Sequence, residues 1–162
     1  MMRAAVITVS DSSYAGQRED LSGPAVAAML ERHGFTGGVR EVAPDERAVI
    51  AARLQQLCDT GAADAIFTTG GTGVAPRDVT PEATRDVVER EIPGLAELMR
   101  SEGLKKTRRA ALSRGVCGLR GGTLIVNLPG SPKGASESLD AIVELVPHIV
   151  DLAHGDTAHD DD

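Results

Sequence analysis

The residues with the most chemical potential lie in "TTGGTGVAPRDVTPE", positions 68–82. Gly70, Gly71 and Gly73 leave three of four consecutive positions without a Cβ. A backbone so stripped can approach an anion closely and turn several N–H groups toward it. Thr69 and Thr72 add hydroxyl donors, and Arg77 and Asp78 follow within the same loop. Two common glycine fingerprints fail here. The dinucleotide pattern G-x-G-x-x-G needs glycine where Pro76 stands, and the P-loop needs a lysine that no glycine run supplies at that spacing. An anion cradle and a plain turn demanding positive φ both stay open.

Neighbouring residues bear on that choice. Asp78 is placed where a carboxylate could hold Mg²⁺ beside a phosphate. Asp45, in "APDER", is a second candidate, although its simpler reading is the N-cap of a helix, a position aspartate favours. The loop "NLPGSPKG" (127–134) offers Asn127 at a strand end, Gly130 for close approach, Ser131 as donor and cap, and Lys133 as a cation. A helix N-terminus is itself an anion site, so capping and binding can coexist there. In "DLSGP" (20–24), Ser22 has the same two readings. The run "KKTRR" (105–109) reads first as a solvated face, with a role toward an anionic ligand as the alternative. His33, His148, His154 and His159 show no paired ligand spacing, and no G-x-S-x-G elbow supports a hydrolase triad.

The elements that must position these loops alternate between strand and helix. Strands are predicted at 4–10, 38–44, 64–70 and 123–130, with an edge strand near 115–120. Helices are predicted at 22–35, 45–61, 80–92, 93–103 and 131–155. Ser22, Asp45 and Thr80 stand where N-caps belong, and Pro147 is expected to kink the last helix. This order predicts one α/β domain of three layers, α/β/α, a mainly parallel sheet with helices on both faces. Ligands bind such sheets beyond the carboxyl ends of the strands, where the polar loops above fall. Residues 156–162 read as an acidic, disordered tail.

Composition narrows the function. A net charge of -7, with no Trp, one Tyr and two Phe, argues against a nucleic-acid surface. No apolar run approaches a membrane span, and no signal-peptide core follows the first residues, so a cytoplasmic protein is expected. Cys58 and Cys117 fit neither a metal spacing nor C-x-x-C, and read as reduced, partly buried thiols.

Taken together, "TVSDS" (8–12), "DLSGP", "APD" (43–45), "TTGGTG" (68–73), "RDVTPEAT" (77–84), "LSRG" (112–115) and "TLIVNLPGSPKGA" (123–135) resemble the MogA/MoaB family of molybdenum cofactor biosynthesis and the gephyrin G domain. The likeness runs from about residue 3 to 153. It implies a single molybdopterin-binding domain over 1–155, forming a trimer or a hexamer of two trimers. It also implies Mg²⁺-dependent transfer of AMP from ATP to the terminal phosphate of molybdopterin, with release of pyrophosphate. Some MoaB members of the family bind without catalysing, and a separate protein would insert molybdate. By the same resemblance, Asp45 and Asp78 are the catalytic, metal-side aspartates. Thr69, Gly70, Gly71, Thr72, Gly73, Glu82, Asn127, Pro129, Gly130, Ser131 and Lys133 serve the phosphates, and Ser10, Asp11 and Ser22 the pterin.

Overall fold

Alternation along the strands decides the layering. In β1 (Arg3–Val9), Ala4 and Val6 enter one apolar cluster while Ala5, Ile7 and Val9 enter a second. Two clusters on opposite sides mean a sheet buried on both faces. The computed structural model describes residues 1–157. Helix α1 (Asp11–Tyr14) is a single turn, and α2 (Ser22–Arg32) leads to β2 (Thr36–Ala43). Then come α3 (Arg47–Asp59), β3 (Ala65–Thr69), α4 (Thr80–Arg85) and β4 (Arg90–Glu91). Helix α5 (Pro93–Leu104), a short 3-10 turn at Arg108–Leu112, β5 (Cys117–Arg120) and β6 (Thr123–Leu128) follow. Helices α6 (Pro132–Ile142) and α7 (Val146–Ala153) end the described chain. The sheet order is β2-β1-β3-β6-β5-β4.

The first four strands are parallel, and β5 and β4 complete the sheet antiparallel. Helices α2, α5, α6 and α7 pack on one face around Phe67, Leu124, Val126 and Leu128. Helices α3 and α4 cover the other around Ile66 and Ile125. With so few aromatics, the core has one ring pair, Phe35 against Phe67, edge to face at 6.5 Å. The chain runs outward from β1 to β2 and returns to place β3 on β1's other side. The loops leaving β1 and β3 therefore diverge at a strand-order switch, the crevice where α/β sheets take ligands.

Three expectations change. The helix predicted at 80–92 ends at Arg85, because Arg90 and Glu91 pair with Leu119 and Gly118 of β5; strand pairing wins over helical pattern. The helix predicted at 131–155 divides through a 3-10 turn at Val143–Leu145. Pro147 has no N–H to offer the Val143 carbonyl and its ring crowds that oxygen, so the break falls four residues before it. Ser22 and Thr80 are first helical residues rather than caps. At α2, Asp20 accepts from the Gly23 N–H at 3.0 Å and from the Thr8 hydroxyl at 2.7 Å. The tail expected over 156–162 lies largely outside the described residues, which stop at 157.

Cys117 is buried and Cys58 half-buried, unpaired as expected. Burial pushes the Cys58 thiol up to about 11 and Cys117 to about 12. At pH 8, Ellman's reagent should therefore label the native protein on the order of 100-fold more slowly than a free thiol, since thiolate is the reactive form. Both thiols should titrate promptly in denaturant; fast labelling of the native protein would contradict the packing.

Candidate functional site

The glycine loop begins where two strand ends are sewn together. The Thr69 hydroxyl donates to the Pro129 carbonyl at 2.6 Å, and Gly70 N–H donates to Leu128 O at 3.1 Å. Gly70 has φ +102 and Gly71 φ +68, both in the region that favours glycine. Space forbids side chains as well. A Cβ on Gly70 would strike the Val9 carbonyl, one on Gly71 the Thr80 hydroxyl, and one on Gly130 would lie 3.3 Å from Gly70 Cα. Thr80 completes the seam, its hydroxyl donating to Gly70 O at 3.0 Å. Thr69 and Gly70 thus spend their polar groups on the fold. The N–H groups of Gly71, Thr72 and Gly73 find no acceptor among the described residues. The positive φ values meet the demand of a plain turn, and three successive uncommitted amides also give the loop the donors an anion cradle needs.

Arg114 suspends this loop. Its Nε donates to Gly73 O at 2.7 Å, Nη2 to Asp78 O at 2.7 Å, and Nη1 to the Glu82 carboxylate. Its own N–H donates to Thr72 O at 2.8 Å. The guanidinium holds Glu82 below its ordinary range, and Glu82 becomes an anchor for the arginine. Asp78 turns its Oδ2 back to the Ala75 N–H at 3.0 Å, and that oxygen lies 2.9 Å from the Cβ position of Gly73.

Asp45 is not the helix cap the sequence favoured. Glu46 occupies the cap position of α3, without a side-chain bond. Asp45 instead exchanges hydrogen bonds with Asp11: Asp11 N–H donates to Asp45 Oδ2 and Asp45 N–H to Asp11 Oδ1, both at 2.9 Å. The other oxygen, Oδ1, faces Gly71, 3.1 Å from its Cβ position. Burial raises the Asp45 carboxyl above its usual range, with the charges of Asp11 and Asp78 adding to the effect. Arg77 pairs with Asp11 and holds it below the usual range. Ser10 caps α1, its hydroxyl accepting from Ser13 N–H at 3.2 Å.

Beside the loop opens a cavity of about 590 Å³. Of the predicted residues, Gly71, Thr72, Gly73, Asp78, Asn127, Pro129, Gly130 and Ser131 line it. Ser131 caps α6, as predicted, accepting from Gly134 N–H at 3.0 Å. Asn127 contributes no free amide. Its Nδ2 donates to the Thr68 and Thr84 hydroxyls at 3.0 and 2.9 Å, and its Oδ1 accepts from Val116 N–H at 3.0 Å. Thr69, Gly70, Glu82, Asp11, Asp45, Ser10 and Ser22 do not line the cavity; Asp45 stands behind Gly71, and Ser22 is buried in the first turn of α2. Lys133 points to solvent with 86% of its side chain exposed, 4.0 Å from Glu137. The cavity's cations are instead Arg100 and Arg109. Arg100 also steadies the wall, donating to Gly115 O at 3.2 Å. Thr107 and Arg109 come from the run read as a solvated face. Their only signal in sequence was the cluster of positive charge. Ala96, Met99 and Leu112 give that end an apolar surface.

A row of bare amides opening on a roomy, partly apolar chamber at the strand ends places the chain in a class: α/β domains with a small-molecule pocket at the carboxyl edge of the sheet. Residues 5–148 match the family described as "Probable molybdopterin binding domain". The chain belongs to that family. It is 43% identical to a molybdopterin adenylyltransferase of Helicobacter pylori over 152 residues, 93% of this chain and 86% of that one. With the Escherichia coli K12 molybdopterin adenylyltransferase it shares 38% over 156 residues, 95% of this chain and 79% of the relative. The molybdenum cofactor synthesis protein cinnamon of Drosophila melanogaster is 44% identical over 154 residues, but this chain spans only 26% of its length. Among solved structures, MoaB of Thermus thermophilus superposes with a TM-score of 0.90 at 52% identity, covering 96% of this chain and 98% of that one. The Mog protein of Mycobacterium ulcerans gives 0.88 at 41%, covering 94% and 99%.

Two substitutions test this architecture. Asn127→Leu strands two buried hydroxyls and a buried N–H, and should lower the unfolding free energy by about 3 kcal/mol, read by urea denaturation. Arg114→Met should loosen the loop. Because Glu82 is held low by Arg114, the pair stabilises the fold above the ordinary glutamate value of 4.5 and loses that contribution as pH falls through the lower folded value. Thermal melts of Arg114→Met should therefore lose less stability on acidification below pH 4.5 than wild type does; an unchanged profile would show that the pair contributes nothing.

Proposed function

We propose that this chain is a molybdopterin adenylyltransferase of molybdenum cofactor synthesis, joining AMP from ATP to the terminal phosphate of molybdopterin. The observation that carries the reading is the row of three uncommitted amides at Gly71–Gly73, opening on a chamber with a polar end and an apolar end. Relatives sharing 38–43% of their residues over most of the chain bear that activity in their names. In the reaction, a phosphate oxygen of molybdopterin attacks the α-phosphorus of ATP. One P–O bond forms, the bond to the β-phosphate oxygen breaks, and pyrophosphate leaves with both electrons of that bond. Such a transfer needs positioning and charge neutralisation more than a protein nucleophile.

The residues divide that work by chemistry. The amides of Gly71, Thr72 and Gly73, with the N-terminus of α6 behind Ser131, grip phosphate oxygens. Arg100 and Arg109 supply the positive charge assigned from sequence to Lys133. Ala96, Met99 and Leu112 offer the ring system an apolar face, and Glu137 an acceptor for its N–H edge. The carboxylates fit a magnesium ion. No cluster of three or more His, Cys, Asp or Glu forms a self-sufficient cage among the described residues, and Mg²⁺ is ordinarily held by one or two carboxylates completed by substrate phosphates. Asp45 and Asp78 would hold it, and it would neutralise charge on the phosphates. The burial that raises Asp45's proton affinity also makes a cation beside it favourable. The reading includes a trimeric assembly, a cytoplasmic setting and a separate molybdate-inserting protein; no helix among the described residues is long and apolar enough to cross a membrane.

Pyrophosphate should be released from ATP only when molybdopterin is added. Asp78→Asn should slow that release on the order of 100-fold or more while the melting temperature stays close to wild type. Near-normal turnover in the variant would remove Asp78 from the mechanism. Binding of molybdopterin with no pyrophosphate release by the wild type would make the chain a binding protein instead.

A further inference from the structure

Asp11, the first residue of α1, and Asp45, in the loop after β2, are 34 residues apart, yet each accepts the other's backbone N–H at 2.9 Å. This reciprocal pairing fixes both the backbone of Asp45 and the rotamer of its side chain. One carboxylate oxygen, Oδ2, is turned to Asp11, and the other, Oδ1, is left against Gly71. Asp11 is held in turn. Arg77, 66 residues away in sequence, grips it with two guanidinium nitrogens, Nη2 reaching Oδ1 at 3.0 Å and Nε engaging Oδ2. Ser10 anchors the turn from below, its N–H donating to Ala43 O at 2.9 Å and its hydroxyl accepting from Ser13 N–H. Both oxygens of Asp11 are therefore engaged within the protein, and neither Asp11 nor Arg77 lines the cavity.

We infer that Asp11 and Arg77 are positioning residues for Asp45: they aim its carboxylate at the glycine cradle and do not themselves touch the ligand. The arrangement links the ends of three strands. Asp11 follows β1, Asp45 follows β2 and Arg77 follows β3, so the couple holds the three loops of the crevice in one register. A bidentate arginine–carboxylate contact adds directional constraint as well as charge, which suits it to this task better than a lysine. Asp11 was assigned to the pterin from family likeness; the geometry points to Asp45 as its object. The inference rests on Asp45 being one of the two metal-side carboxylates.

The test is a double-mutant cycle on the full chain, read by binding rather than turnover. Calorimetry would follow Mn²⁺ together with α,β-methylene ATP, an analogue whose scissile bridge cannot break, and melting temperatures would be recorded in parallel. Asp11→Ala should weaken metal–nucleotide binding about tenfold, yet change it less than about twofold when Asp45 is already alanine, because it acts through that residue. Asp11→Asn, whose amide oxygen can still accept the Asp45 N–H, should recover most of the affinity. Arg77→Met should weaken binding about threefold and be equally silent on the Asp45→Ala background. Molybdopterin affinity should stay within about twofold throughout. Equal losses with and without Asp45, or lost molybdopterin affinity with metal–nucleotide binding intact, would overturn the inference. Should Asp11→Ala fail to fold, the Arg77→Met cycle decides alone. Absence of pyrophosphate release by the wild type would sink the transferase reading without touching this result.

Discussion

Arg114 is the contact on which the site depends. Standing just before β5, it reaches back across the sheet to hold the carbonyls of Gly73 and Asp78 and the carboxylate of Glu82. Carbonyls pinned to a guanidinium point away from the opposite side of the loop, where the amides of Gly71 to Gly73 are left to face outward. A loop of small residues would otherwise sample many conformations, since glycine has the most backbone freedom to lose. One charged side chain with several donors replaces that freedom with a single shape.

The glycines answer a different constraint, the closeness of three strand ends. Val9 at the end of β1, Gly70 beyond β3 and Gly130 beyond β6 meet so closely that a Cβ on Gly70 would strike the Val9 carbonyl and one on Gly130 would press on Gly70 Cα. This crowding is also what concentrates amides, hydroxyls and the start of α6 in one small volume. Function follows from the crowding, because an anion entering there meets donors from several elements at once.

The charges that remain around the cradle are spread over several groups. Asp45 is half-buried behind the cradle, Asp78 sits along the loop, and Arg100 and Arg109 occupy the cavity's far wall. Asp78 and the glycine loop make one end of the cavity polar, while Ala96, Met99 and Leu112 give the end that holds Arg100 and Arg109 an apolar surface. Asn127, at the joint between β6, β5 and α4, keeps that wall rigid by satisfying two threonines and a backbone N–H in the core.

Much of this was legible in the residues alone. Short continuous apolar runs rich in β-branched residues specified the buried strands, alternation marked β2, and Gly34, Gly61, Ser131 and Pro132 marked helix boundaries. The polar loops could be placed at the carboxyl ends of the strands, because period and turn chemistry act between near neighbours. Family likeness then joined the loops into one pocket. What tertiary structure decided was the partner of each polar group. Asp45 met Asp11 rather than capping its own helix; Thr80 met Gly70; Lys133 turned to solvent while Arg100 and Arg109 came to line the cavity. The contacts that set Asp45, Arg114 and Arg77 join residues 32 to 66 positions apart. Residue type and spacing determine which chemistry a segment can offer. Only the packed sheet, by bringing distant donors and acceptors within three ångströms, determines which offers are taken up by the fold and which remain for a ligand.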